Sequence, residues 1–177
     1  MVGPWGTTPT GRGWWLRGFT PAGQAALVLG AGGAAKAAAL ALAQAGCRVT
    51  VCARTPEKAA ALAARCGGVT VSWEDLPRAA AEHGLLLNAT PLGMEGSPEF
   101  ESLDFVQALP TKAVVYDLVY HPTDTALLRA AGSRELTAVG GLALLVQQAA
   151  LAFAHFTGIV PDAALCRNIL QELEAAQ

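Results

Sequence analysis

The run Val28-Leu29-Gly30-Ala31-Gly32-Gly33-Ala34-Ala35-Lys36-Ala37 has the residue types that can hold a pyrophosphate. It reads as a buried strand, a glycine turn and the start of a helix. Gly30 and Gly32 carry no Cβ, so the backbone can turn tightly and come close to a ligand. Ala35 takes the third place of the G-x-G-x-x-G/A pattern, where a small side chain lets helix and strand pack closely. The helix that follows aims its first N–H groups, and the positive end of its dipole, at an anion. Glycine and alanine are abundant throughout the chain, so the turn gains meaning only from its surroundings.

The end of the second strand decides which dinucleotide fits. In NAD-binding domains an acidic residue stands roughly 20 residues beyond the glycines and accepts hydrogen bonds from the ribose hydroxyls. Here the region reads Cys52-Ala53-Arg54-Thr55-Pro56-Glu57-Lys58, with Arg54 and no carboxylate at the strand end. A guanidinium can pair with a 2′-phosphate through two hydrogen bonds and stack its plane on adenine. Solvated cations at a helix start would give the same sequence. They oppose the helix dipole, however, which favours an anionic partner. The expected cofactor is NADP.

Further groups fall where later strands should end. Asn88-Ala89-Thr90-Pro91-Leu92-Gly93-Met94 would leave the carboxyl end of a fourth strand, the edge on which a dinucleotide lies in an open parallel sheet. Asn88 and Thr90 offer polar groups, Gly93 a turn, and Met94 apolar cover for a nicotinamide ring. The same residues also make a good turn without any ligand. Asp117-Leu118-Val119-Tyr120-His121-Pro122 leaves a fifth strand at the same edge. The Tyr120 phenol can hydrogen-bond a substrate there, or simply lie half-buried. Gly140-Gly141 opens a long helix that carries Gln147 and Gln148 among Leu, Ala and Val. A glutamine on an apolar helix needs a partner, so one of the pair can face solvent and the other the cleft.

These groups need a sheet behind them, and the chain supplies its strands in alternation with helices. Strands are expected at Ala25–Leu29, Arg48–Cys52, Val69–Val71, Leu85–Asn88, Ala113–Leu118 and Leu136–Val139. Helices are expected at Gly33–Ala45, from Thr55-Pro56 to Gly67, and at Asp75–Glu82, Thr123–Ala131, Gly141–Phe156 and Asp162–Ala176. The first strand is apolar without polar alternation, so it should be buried on both faces, as in a parallel sheet. The expected fold is α/β: a Rossmann-like, doubly wound parallel sheet of about six strands with helices on both faces.

Length and composition fit one such domain. The chain has 177 residues, 53% of them apolar and 15% charged, with a net charge of −2. The scattered basic residues argue against a nucleic-acid surface. No uninterrupted apolar run reaches the length of a membrane span, and the amino terminus lacks the order of a signal peptide. The four cysteines show no C-x-x-C spacing and read as buried apolar residues of a cytoplasmic protein, with no metal site. Residues 1–24 form a poorly structured Trp/Gly-rich arm, and residues 25–177 the nucleotide-binding domain. Trp5, Trp14 and Trp15 of the arm need apolar cover, from this domain or from a neighbour.

In their order and wording these runs resemble the NADP-binding, carboxyl-terminal domain of the shikimate dehydrogenase family. The matching stretches are Val28–Ala37, Arg54-Thr55 with Lys58, Asn88–Met94, Asp117–Tyr120 with Pro122 and Thr125, and Gly141-Leu142 through Gln148-Ala149-Ala150 to Phe156-Thr157-Gly158. By this resemblance Gly32, Gly33 and Ala34 contact the pyrophosphate, and Arg54, Thr55 and Lys58 hold the 2′-phosphate. Asn88, Thr90 and Met94 line the cofactor, and the Gly141 backbone lies against the nicotinamide. Tyr120 and Gln148 contribute to binding shikimate.

The chain also departs from the family pattern. Ala53 stands where an asparagine is usual, Leu144 where a methionine is, and Gly140 where an acid often is. The family's amino-terminal substrate domain, with its serine pair and its Lys–Asp pair for proton transfer, has no clear match. No lysine precedes Lys36 and no aspartate precedes Asp75. Gly13-Trp14 aligns weakly with a family Gly-Phe, which puts Thr8, Pro9 and Thr10 on its Asn-Thr-Asp run, as a remnant of that domain. The resemblance implies NADPH-dependent reduction of 3-dehydroshikimate to shikimate. No catalytic residue is identified in this chain, which alone should be inactive or very weak. A substrate domain on a separate chain, or a homo-oligomer, could pair with it through the Trp-rich arm. Two other readings stay open: a non-catalytic NADP-binding module or partner subunit, and a related quinate/shikimate dehydrogenase.

Overall fold

β1 (Ala25–Leu29) is buried along its whole length, and the reason is the period of a strand. Successive side chains point to opposite faces, so an unbroken apolar run fills two core layers at once. Ala26 and Val28 enter one layer with Val49, Val51, Leu85 and Leu87. Leu27 and Leu29 enter the other with Leu86 and Val115. Each fully buried leucine of this kind contributes about 1.5–3 kcal/mol relative to exposure.

The computed structural model describes residues 19–175. After β1 come α1 (Gly33–Gln44), β2 (Arg48–Cys52), α2 (Pro56–Cys66), β3 (Val69–Val71), α3 (Leu76–Ala80) and β4 (Leu85–Asn88). Then follow α4 (Asp104–Ala108), β5 (Val114–Asp117), α5 (Ala126–Gly132), β6 (Thr137–Val139), α6 (Gly141–Thr157) and α7 (Ala163–Ala175). The strands form one six-stranded sheet in the order β3-β2-β1-β4-β5-β6, and every neighbouring pair is parallel. Helices α1 and α2 cover one face, and α3, α4 and α5 cover the other. This is the expected Rossmann-like, doubly wound sheet.

The helices form for local reasons. Pro56 fits the first turn of α2, Glu57 and Arg65 match the two ends of its dipole, and Gly67 closes it in a left-handed conformation at φ 64°. α1 is mostly alanine and needs little more than its propensity. Its fully buried Ala35, Ala39 and Leu42 face the sheet.

Boundaries move inward where tertiary contacts end. α3 has 5 residues, shorter than the expected Asp75–Glu82. α5 starts at Ala126 because the Thr125 hydroxyl caps it, accepting from the Leu128 N–H at 3.2 Å. α4 has no counterpart in the sequence reading. Its 5 residues carry too few apolar positions for a helical period, and it owes its place to buried Phe105 and Val106. The tryptophans of the amino-terminal arm, and Thr8 to Thr10, lie outside the described residues. Phe19, the first described residue, is buried in the layer under α1 and α2.

α6 and α7 stand apart from the two layers. Only Gly141, Leu142 and Val146 of α6 are buried, and only Cys166 of α7. Leu151, Phe153, Phe156, Ile159 and Val160 are exposed on this hairpin and the turn between its helices. No described helix is long and apolar enough to cross a membrane.

The cysteines follow the core. Burial pushes the Cys47 thiol up to about 11 and the Cys52 thiol up to about 12, and Cys166 is also buried. Cys66 is only half-buried. Since the thiolate is the nucleophile, iodoacetamide at pH 8 should modify Cys66 in the native chain. The other three should react only after unfolding. Peptide mapping that finds Cys52 labelled at the rate of Cys66 would contradict this packing.

Candidate functional site

All but one of the residues marked in the sequence fall at the carboxyl edge of the sheet or on the first turn of the helix that follows. The site forms where the strand order reverses, between β1 and β4. The fold brings Gly30 and Asn88 together there because β1 and β4 are neighbours, with Leu29 opposite Asn88.

Gly30 is held by close approach. Its φ is 110°, and a Cβ on it would stand 2.7 Å from the Ala89 carbonyl oxygen. Its N–H donates to the Cys52 carbonyl at 2.7 Å, and the Ala89 N–H donates to the Leu29 carbonyl at 2.8 Å. Only glycine allows the loops after β1, β2 and β4 to meet so tightly. Gly32 and Gly33 differ: nothing lies within 4 Å of a Cβ built on either. Both are exposed, as is Ala34. Gly32 is the N-cap of α1, and the first turn contains no acid to occupy the positive end of the dipole. The turn is therefore an open cradle of N–H groups, suited in size and sign to an anionic group.

Beside it lies a cleft of about 340 Å³ between α1 and α2, lined by Gly32, Lys36, Lys58, Leu62 and Arg65 among others. Arg54 is exposed at the end of β2. Neither Arg54 nor the cleft cations Lys36, Lys58 and Arg65 takes part in any of the ion pairs among the described residues. Thr55 is the N-cap of α2 by backbone geometry, yet its side chain makes no cap hydrogen bond. Thus no carboxylate lines the cleft, and its cations remain available to a phosphate. Lys36 and Arg65 join the site through the fold alone. Their spacing hints at them only in retrospect, because Arg65 lies two turns beyond Lys58 on α2.

The opposite side of the cradle is made by the loops after β4 and β5. Asn88 is fully buried and its bonding capacity is spent on the protein. Its Nδ2 donates to Asp117 Oδ1 at 2.9 Å and to the Leu92 carbonyl at 3.3 Å. Its Oδ1 accepts from the Thr90 N–H at 3.0 Å and from the Thr90 hydroxyl at 2.6 Å. Asn88 therefore shapes the loop, and Thr90 and Met94 carry the surface, Met94 being 40% exposed. A second cleft of about 390 Å³ runs along Met94, Glu95, His121 and Pro122, and His121 pairs with Glu95 across it.

Gly141 is a second position that packing reserves for glycine. A Cβ there would overlap the Leu118 and Val119 carbonyls. Its N–H donates to the Val119 carbonyl at 3.1 Å, which seats the head of α6 against the β5 loop. Tyr120 follows in that loop and is half-exposed. Gln148 lies further along α6 and is exposed, while Gln147 is half-buried. The arrangement offers an anion cradle, a cationic corner beside it, and a rim carrying a phenol.

Comparison with known proteins bears on this arrangement. The profile of the shikimate / quinate 5-dehydrogenase family matches residues 18–94, and that of the shikimate 5′-dehydrogenase C-terminal domain matches residues 141–171. The shikimate dehydrogenase (NADP(+)) of Acidiphilium cryptum is 49% identical over 158 residues, which are 88% of this chain and 56% of the relative. Shikimate 5-dehydrogenase of Thermus thermophilus, solved in complex with NADP(H) and shikimate, superposes with a TM-score of 0.75 at 39% identity, over 90% of this chain and 59% of its own. Quinate dehydrogenase of Corynebacterium glutamicum, solved with NAD, gives 0.74 at 30% identity, over 84% and 55%. The chain thus spans about half the length of these relatives.

Proposed function

The chain belongs to the shikimate dehydrogenase family, and from that premise we propose that it is the NADP-holding part of a dehydrogenase acting on shikimate and 3-dehydroshikimate. One observation carries the cofactor assignment. The open glycine cradle adjoins a corner of unpaired cations with no carboxylate at the end of β2. A dinucleotide needs the cradle, and a 2′-phosphate needs the cations.

The roles follow from placement. The N–H groups of Gly32, Gly33 and Ala34 would hold the pyrophosphate. Arg54, Thr55 and Lys58 would hold the 2′-phosphate, with Lys36 and Arg65 adding positive potential. Thr90, Met94 and the Gly141 backbone would flank the nicotinamide, which supplies or accepts hydride when bound. Tyr120 would donate a hydrogen bond to the substrate, and Gln148 would extend that contact along α6. Excluding water and fixing orientation is this chain's share of the chemistry.

Reduction of a ketone also needs a proton for the developing alkoxide. No lysine precedes Lys36, and no residue of the described rim matches the family's Lys–Asp pair. The acid and the other half of the substrate cleft would then come from outside the described residues, on this polypeptide or on a partner. The exposed apolar α6–α7 hairpin is a surface against which they would rest.

Fluorescence titration of the purified chain tests the cofactor assignment. NADPH should bind at least about tenfold more tightly than NADH, a difference of roughly 1.4 kcal/mol. Absence of NADPH binding, or preference for NADH, would overturn it. In a steady-state assay with shikimate and NADP+, the same chain alone should show no absorbance rise at a wavelength reporting NADPH. Ordinary turnover would sink the claim that the acid comes from elsewhere.

A further inference from the structure

Asp117 is a fully buried carboxylate to which the proposed chemistry assigns nothing. It sits at the end of β5 and is bonded on every side. Its Oδ1 accepts from Asn88 Nδ2 at 2.9 Å and from the Val119 N–H at 3.1 Å. Its Oδ2 accepts from the Thr125 hydroxyl at 2.7 Å. Thr125 is also the cap of α5. From Asn88 the chain of bonds continues to both the N–H and the hydroxyl of Thr90, and the Thr90 hydroxyl in turn accepts from the Leu92 N–H at 3.2 Å.

Backbone bonds complete the web. The Leu118 N–H donates to the Asn88 carbonyl at 2.9 Å, and the Gly141 N–H to the Val119 carbonyl. One buried side chain thus sits where the β4 loop, the β5 loop, the head of α5 and the head of α6 are tied together. Burial pushes its carboxyl above the ordinary carboxylate range, while the bonds from Thr125, Val119 and Asn88 pull the other way. A carboxyl kept in the interior against that penalty is held by its bonds.

We infer that Asp117 is a positioning residue that locks the loops after β4 and β5 and the start of α6 in one register, so that the nicotinamide half of the cofactor and Tyr120 are placed together. The inference rests on the NADP reading above. If Asp117 is removed, Asn88 keeps a donor in the interior with no acceptor, and the loop that carries Thr90 and Met94 loses its anchor. No bond of the web reaches the β2 end, where Arg54 and Lys58 stand. The two halves of the dinucleotide should therefore respond differently to the change.

Titration calorimetry of the full chain with NADP+ and with adenosine 2′,5′-bisphosphate separates the two halves. In Asp117→Ala, NADP+ affinity should fall about tenfold or more while bisphosphate affinity stays within about twofold. In Asp117→Asn most of the NADP+ affinity should return, because the amide oxygen can still accept from Asn88 and Val119. Parallel loss for both ligands, or unchanged NADP+ affinity in the alanine variant, overturns the inference. Should that variant not fold, Asn88→Ser breaks the same bridge from its other end, and the same two outcomes decide. Wild-type chain that binds neither ligand would instead overturn the NADP reading, and the inference with it.

Discussion

Arg54→Asp should lower NADP+ affinity by roughly 100-fold and leave NAD+ affinity within about threefold, because a charge-assisted bidentate pair is lost and a like charge is placed at its target. The effect is modest for two charges because Arg54 is exposed and screened. It should shrink as salt is raised, which itself marks the interaction as electrostatic. Arg65→Gln should act in the same direction but more weakly, since Arg65 lines the cleft two turns beyond Lys58 on α2. Titration of each variant with both dinucleotides checks this. Equal losses for NADP+ and NAD+ would mean that Arg54 supports the fold or the adenine rather than the 2′-phosphate.

The glycine turn gives a second large effect, with opposite signs at two positions only two residues apart. Gly30→Ala should cost about 3 kcal/mol of stability, since the residue must hold a positive φ and its Cβ would press on the Ala89 carbonyl. For a chain of this size that is roughly 6–12 °C in Tm. Gly32→Asp should behave differently. Gly32 has an ordinary φ of −76°, open space around it and the N-cap position of α1. Aspartate is a favoured N-cap, so Tm should hold or rise by a few degrees. The same carboxylate would occupy the anion cradle, and NADP+ affinity should fall by roughly 100-fold. Thermal melts and titrations on the two variants test the pair. A destabilised Gly32→Asp, or one that still binds NADP+ normally, would remove the cradle from the site.

Much of this was legible in the sequence because the signals are local. Strands such as Ala25–Leu29 are short apolar runs with glycine close by on either side, and the parallel sheet follows from their alternation with helices. Arg54 in place of an acid is likewise a local fact. α4 escaped because its 5 residues are ordered by Phe105 and Val106 reaching the core rather than by any period of their own. Lys36 and Arg65 escaped because two helices had to be set side by side before their side chains could share a cleft.

Asn88 shows the same division within one residue. The sequence marks it as a polar group at a strand end, which suits a ligand contact. The fold surrounds it with Asp117, Thr90 and the Leu92 carbonyl and turns it into a strut.

By itself, then, the sequence determined the fold class, the glycine turn and the arginine that stands in place of an acid after β2, since each depends on residue types within a few positions of one another. Only the tertiary structure decided which glycines are pinned by packing and which are left open, that three cations share a cleft lined by no carboxylate, and that one buried aspartate ties the loops of the site. Those properties arise from residues up to dozens of positions apart meeting at one edge of a parallel sheet, where strand order rather than chain order sets the neighbours.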